Sequence, residues 1–270
     1  MKNNNKYKVL VLSDLTDDSI NVLQTATKVA QIIDGQVDLF HVRKATNVVK
    51  QSNQLAAMRA INDNYKAIEK ELNSLAGSVS EIDEIKINPV FSFGNIKKQI
   101  ENHIETTKPD IVVLGKRKSV KPALFGDKII PFVLKKFKGE VLLIDKDTVW
   151  DTQALSVGLF NATDNVDSNS QFIHHVIARS EKPVRAFKVA DKTIAENEGN
   201  DPTLKEVVSY IFEKNDDALK TISNYMSKNK VNLMFVDRKP STSKVATGLS
   251  ISELNNLIDN LKAPLLLSRS

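Results

Sequence analysis

Apolar residues in this chain come in short runs, separated by longer stretches in which they fall three and four apart. Residues 8–13, 37–42, 85–93, 111–114 and 141–144 are rich in valine, isoleucine and leucine. Runs this short and this β-branched predict buried strands. Between the first two, Leu23, Ala26, Thr27, Ala30 and Ile33 mark one face of a helix beginning at Ile20. Asp17, Asp18 and Ser19 are its candidate caps, and Asp34-Gly35 ends it, with Gly35 suited to a left-handed turn. Residues 45–77 predict a long helix with an inward stripe of Leu55, Met58, Ile61, Tyr65, Ile68 and Leu72. Gly94-Asn95 opens a third helix, which Lys108-Pro109-Asp110 breaks. Gly126-Asp127 opens a fourth, running to Phe137 with Pro131 in its first turn, after a basic irregular loop over 115–125.

Strands that alternate with helices predict an α/β fold: a five-stranded, doubly wound parallel sheet with helices on both faces. Ligands of such sheets sit beyond the carboxyl ends of the strands, where the strand order reverses. That rule gathers Asp14, Val42 and the 115–127 loop into one neighbourhood.

The pattern then occurs again. Thr16-Asp17, Phe40 and Val42 map onto Thr163-Asp164, Phe187 and Val189 without a gap, at one offset (163 − 16 = 147). Asp110-Ile-Val-Val-Leu-Gly115 resembles Asn232-Leu-Met-Phe-Val-Asp237 at a smaller offset, so the second copy is shorter inside. Two tandem domains follow, 1–147 and 153–270, forming an internal pseudo-dimer. Residues 192–217, with Glu196-Asn-Glu-Gly-Asn-Asp-Pro202, are polar and turn-rich. They predict a flexible excursion, with a partner-docking loop as the alternative.

Composition narrows the chemistry. The 270 residues include no cysteine, which excludes disulfides, thiolate catalysis and Cys-based zinc sites. The polar start, Met1-Lys-Asn-Asn-Asn-Lys, has no leader-like apolar run, and no stretch approaches the ~20 apolar residues of a membrane span. The expectation is a cytoplasmic protein with no membrane contact. The net charge is +5, with lysine interspersed among Glu and Asp and few aromatics. Nucleic-acid binders concentrate charge on one face and add stacking aromatics, so this pattern argues against that class. Asp14, Asp17 and Asp18 do not form the dense oxygen cluster that magnesium needs. His174 and His175 are adjacent on a helix and point about 100° apart, as a core-and-surface pair does. No metal ligands and no catalytic residues are assigned.

The residues now on the page resemble the universal stress protein family. The likeness is carried by residues 9–14 with Thr16 and Ser19, by 37–42, Gly94-Asn95-Ile96, Pro109-Asp-Ile-Val-Val-Leu-Gly115, Gly126 and 141–144. Over 154–270 it is looser, resting on Thr163-Asp164, 231–236, Gly248 and 264–267. The resemblance implies a tandem member of the family. It also implies an ATP site in some members, whose loop after strand four reads Gly, two residues, Gly, nine residues, Gly, then Ser or Thr. Glycines there let backbone amides approach phosphate, and the hydroxyl adds a donor at a helix N-terminus.

Here Gly115 matches the first glycine, Lys118 replaces the second, and Gly126 fits the third after seven residues instead of nine. Asp127 stands where the hydroxyl belongs, and a carboxylate there repels phosphate. Asp14, which resembles the acidic residue on the adenosine portion, is kept, as is Val42. In the second copy Asn161 aligns with Asp14, Asp237 replaces Gly115, and Leu249 follows Gly248. The expectation is therefore a non-enzymatic cytoplasmic stress-response protein that acts through protein association, with nucleotide binding weak or lost and no resident cofactor. The alternative is an ATP-binding, nucleotide-responsive module or slow ATP hydrolase using Asp14, Val42, Gly115, Lys118, Gly126 and Asp127. The expected partners are an unidentified protein and a second copy of the chain, docked on the helical face over 55–72.

Overall fold

The computed structural model describes residues 7–44, 54–83, 85–116, 129–145, 154–160, 171–181, 183–190, 207–215, 217–237 and 251–268. The chain divides into two compact units, 1–138 and 139–270.

The first unit runs β1 (Tyr7–Ser13), α1 (Ser19–Ile32), β2 (Gly35–Arg43), α2 (Gln54–Asp83), β3 (Ile87–Phe93), α3 (Ile96–Thr107), β4 (Ile111–Lys116) and α4 (Ile129–Lys136). Its strands are parallel in the order β3-β2-β1-β4. The order reverses at β1, which pairs β2 on one side and β4 on the other. Right-handed crossovers then put α1 and α2 on one face and α3 and α4 on the opposite one. The packing agrees: α1 meets α2, and α3 meets α4. β1 and β4 have helices on both faces, so Val9, Leu10, Val11 and all of residues 111–114 are buried.

The second unit holds β5 (Glu140–Asp145), β6 (Val157–Phe160), α5 (Gln171–Ala178), β7 (Val184–Ala190), β8 (Val207–Glu213), α6 (Ala218–Lys228), β9 (Leu233–Val236), α7 (Ile251–Asn260) and β10 (Leu265–Leu267). The order is β5-β10-β9-β6-β7-β8. Its pairings are parallel apart from β5 with β10, where Leu265 opposes Leu143 and Leu267 opposes Val141 in antiparallel register.

Several local expectations change. Asp34, not Gly35, takes the left-handed conformation after α1, at φ 56. Gly35 already belongs to β2, where an added Cβ would meet Val9 Cγ2 at 3.2 Å. Asp18 stands at the N-cap of α1 without a side-chain cap bond. Asn95 does cap α3, its side chain accepting the Lys98 N–H at 3.2 Å. Only the C-terminal half of the α2 stripe is inward. Ile68 and Leu72 are buried, whereas Met58, Ile61 and Tyr65 are exposed, and the Leu55 side chain lies outside the described residues. Within the region read as an excursion, Val207–Glu213 is a strand, pairing β7 over its whole length.

The two copies are also not gap-free. In the first unit Leu12 pairs with Phe40, and in the second Phe160 pairs with Phe187. Phe187 lies 147 positions after Phe40, but Phe160 lies 148 after Leu12 (160 − 12), so the first strand of the second copy is displaced by one residue. A repeated clamp confirms that register. Asp110 Oδ2 accepts the Lys8 N–H at 2.8 Å, and Asn232 Oδ1 accepts the Ser156 N–H at 2.8 Å.

Candidate functional site

β1 ends at Ser13, and the parallel register sets Ser13 beside His41 and Leu12 beside Leu114. Asp14, Val42 and Gly115 therefore stand at one end of three adjacent strands, where the strand order reverses. This is the position at which such sheets take ligands. Asp14 is exposed, and Val42 and Gly115 are half-buried. Lys118, Gly126 and Asp127 lie outside the described residues.

The turn after β1 is held by a net of hydroxyls. Asp14 Oδ1 accepts from Thr16 Oγ1 at 2.7 Å, from Ser19 Oγ at 3.2 Å and from the Thr16 N–H at 3.3 Å. Ser13 Oγ donates to Ser19 Oγ at 3.1 Å and accepts the Leu15 N–H at 3.1 Å. Ser19 Oγ also accepts the Thr16 N–H at 3.1 Å. These bonds enforce a left-handed Leu15, φ 56, a conformation that costs a leucine about 1 kcal/mol. Strain of this kind persists only where the surroundings over-determine it. Asp17 and Asp18, flanking this net, are placed for the turn and the start of α1.

His41 braces the same end from β2. Its Nδ1 lies 2.9 Å from the Ser13 carbonyl, so Nδ1 carries the proton and donates. Its Nε2 is buried and has no hydrogen-bond partner among the described residues. Burial lowers the His41 pKa below 6.5, against the raising effect of the Ser13 bond. His103 of α3 stacks on Phe40, centroids 4.0 Å apart and planes 6° from parallel, and burial lowers its pKa too.

Gly115 lies inside β4, not in a loop, and the strand continues through Lys116, whose side chain is buried. A Cβ on Gly115 would meet Val22 Cγ2 of α1 at 3.0 Å. Packing against α1 thus accounts for this glycine without any ligand. In the second unit Asp237 follows β9 at the place of Gly115, and its Oδ1 accepts from Ser268 Oγ at 2.6 Å. Asn161, Thr163, Asp164, Gly248 and Leu249 lie outside the described residues. His174 is exposed and His175 half-buried on α5. Among the described residues no group of three His, Cys, Asp or Glu could hold a metal ion, and no helix is long and apolar enough to cross a membrane.

Sequence reasoning named Asp14, Val42 and Gly115, which the strand register brings to one end of the sheet. It passed over Ser13, Leu15 and His41 as parts of the same structure. The spacing of Ser13, Thr16 and Ser19, three apart across a turn, was the available signal.

A model of the universal stress protein family matches residues 7–144, just over half of the chain. No curated protein sequence matches it. Among solved structures, a universal stress protein from Archaeoglobus fulgidus DSM 4304 is 16% identical, with 97% of this chain and 98% of that one covered and a TM-score of 0.66. A functionally unknown protein from Pseudomonas aeruginosa PAO1 is 11% identical, covering 97% of this chain and 92% of that one, with a TM-score of 0.54. Both likenesses extend the shared fold over both units. A universal stress protein in complex with cAMP covers 52% of this chain and 97% of that one at 15% identity and a TM-score of 0.40, too low to bear on ligand.

Proposed function

The chain belongs to the universal stress protein family, and from that premise we propose that it is a non-enzymatic, cytoplasmic stress-response protein that works by association, with nucleotide binding weak or lost. The observation that carries this reading is Gly115. It is the one glycine of the phosphate-loop pattern among the described residues, and it sits in β4 against Val22. In sequence, Lys118 and Asp127 stand where the family pattern has a glycine and a hydroxyl, and a carboxylate in that position would repel phosphate. Calorimetric titration of the full chain with magnesium ATP tests this. No heat of binding is expected at micromolar nucleotide, and a micromolar affinity overturns it.

A second reading, an ATP-responsive module or slow hydrolase, is favoured by Asp14, Val42 and Gly115 standing at the carboxyl ends of β1, β2 and β4. The same titration decides between the two. If binding is found, its loss in Asp14→Ala assigns it to the first unit.

The association reading has an internal part. We infer that the two sequence repeats, 1–147 and 153–270, form a pseudo-dimer within one chain, supported by the recurrence of the strand and helix pattern in the second half. A fragment of residues 1–148 then dimerises through residues 141–144, and light scattering that finds it strictly monomeric at high micromolar concentration removes the idea. The absence of cysteine supports a reducing compartment.

A further inference from the structure

Asp38 of β2 and Arg185 of β7 occupy the same place in the two repeats, at the offset of 147 (185 − 38), and their charges are answered differently. Asp38 pairs in register with Asn88 of β3, whose side-chain amide donates to Asp38 Oδ1 at 3.0 Å. The same carboxylate lies near His103 of α3. The first unit therefore meets this charge with its own side chains.

Arg185 pairs in register with Val208 of β8, which offers nothing to a guanidinium. Its Nη1 donates to Ser156 Oγ at 3.0 Å, and its other side-chain partner is the Tyr225 hydroxyl of α6. Among the described residues no carboxylate forms an ion pair with it. A guanidinium carries five N–H donors in a planar fork, so most of them remain after these two contacts. Tyr225 and Tyr210 stand with ring centroids 4.7 Å apart and bond through their hydroxyls. Of those two hydroxyls, one O–H is left over to donate. Arg185, Tyr210 and Tyr225 are half-buried, and Val208 beside them is 41% exposed. Partial burial strips water from the cation, and an anion with hydrogen-bond acceptors restores what is lost.

We propose that Arg185, Tyr210, Tyr225 and Val208 form a binding site for a small organic carboxylate with an apolar body. The guanidinium fork matches a carboxylate through two parallel N–H···O bonds, and the remaining phenolic O–H adds a third donor. The apolar body rests on the exposed Val208 and the Tyr210 ring, a surface that the amide of Asn88 replaces in the first unit. These contacts place one cation at the site. A carboxylate balances it, whereas dianionic phosphate leaves a charge unanswered. Ser156 precedes β6 and Arg185 is the second residue of β7, so the site stands at the amino ends of its strands. That is the opposite end from the one that Asp14 marks in the first unit, and the site is independent of both readings of the nucleotide loop.

The test follows the arginine Nε–Hε resonances of the ¹⁵N-labelled full chain by NMR during titration with sodium benzoate, with acetate and inorganic phosphate as comparison arms at constant ionic strength. The Arg185 signal is assigned by its loss in Arg185→Gln. The expected result is a saturable shift of that signal with a benzoate dissociation constant on the order of 1 mM, and about tenfold weaker binding of acetate, which lacks the apolar body. Val208→Asp supplies a carboxylate across from Arg185 from within the chain, so benzoate binding should weaken at least about tenfold with unchanged circular dichroism. Arg185→Gln should abolish the saturable shifts at Tyr210 and Tyr225; if that variant unfolds, Val208→Asp carries the test alone. A benzoate titration without saturation overturns the site, and so does binding indifferent to Val208→Asp. Phosphate binding tighter than benzoate overturns the assignment to an apolar carboxylate.

Discussion

Phe40 and Phe187 occupy the same place in the two repeats, but they are accommodated in different ways. Phe40 shares its strand neighbourhood with Leu10 and lies flat on His103 of α3. Phe187 has Gly158 at the counterpart of Leu10, and its ring moves into the space that leucine would fill. A Cβ on Gly158 would meet Phe187 Cε2 at 2.7 Å, Met234 Sδ at 3.2 Å and Val231 Cγ1 at 3.2 Å. Tyr225 stands where His103 does, with Tyr210 and Phe212 completing the cluster. A leucine and a small stack in one repeat are traded for a glycine and an aromatic cluster in the other. The fold tolerates that exchange because volume is conserved over the group of residues, not at each position.

The largest test of the comparison is Phe187→Ala, which removes a wholly buried ring from a pocket that cannot collapse around a glycine. About 3–5 kcal/mol of stability should be lost in chemical denaturation, more than for Phe40→Ala, where Leu10 and His103 remain to close the gap. Next is Gly158→Ala, expected to cost about 1–3 kcal/mol by overpacking. In a Phe187→Leu background that penalty should shrink. Equal penalties in both backgrounds would mean the glycine and the ring are not coupled.

The clamp before β4 and its counterpart before β9 give a smaller effect. Asn232→Ala leaves the Ser156 N–H and the Ala154 carbonyl without their side-chain partner, for a loss of about 1–2 kcal/mol. Asp110→Ala exposes the Lys8 N–H to water and should cost less. The smallest effect is a pH dependence carried by two histidines of the first repeat. His41 and His103 are held neutral by burial, with pKa values lowered from 6.5. Below pH 6.5 the unfolded chain takes up protons that the folded one resists, so stability falls with pH until the lowered folded values are reached. His41→Gln should flatten part of that slope in thermal melts between neutral pH and pH 5. An unchanged slope would show that His41 does not contribute to it.

How much could be read beforehand varied with the kind of signal. Buried parallel strands announce themselves as apolar runs, so β1, β2, β4 and β5 lie within two residues of their expected bounds. β8 did not, although Val-Val-Ser-Tyr-Ile-Phe has strong strand propensity. It follows a polar, turn-rich stretch, and the composition of a window outweighed six residues within it. The α2 stripe has a sound helical period, yet periodicity cannot say where the supporting sheet ends. Met58, Ile61 and Tyr65 continue the apolar face beyond the buried part. At the candidate site, Asp14, Val42 and Gly115 were recognisable from their places at strand ends, but Gly115 was assigned to a loop and lies within β4.

The amino-acid pattern by itself determined the α/β alternation, the duplication and the family, because each rests on short-range periodicity or on residue identity in order. Tertiary structure decided the rest. The one-residue displacement between repeats became visible only through strand pairing, since a period-two strand reads equally well in either alignment until its partner fixes the face. The reason for Gly115, the space over Gly158 and the brace from His41 to Ser13 all depend on what lies across the sheet or beneath a helix. Those contacts join residues tens of positions apart, and no local property of the chain encodes them.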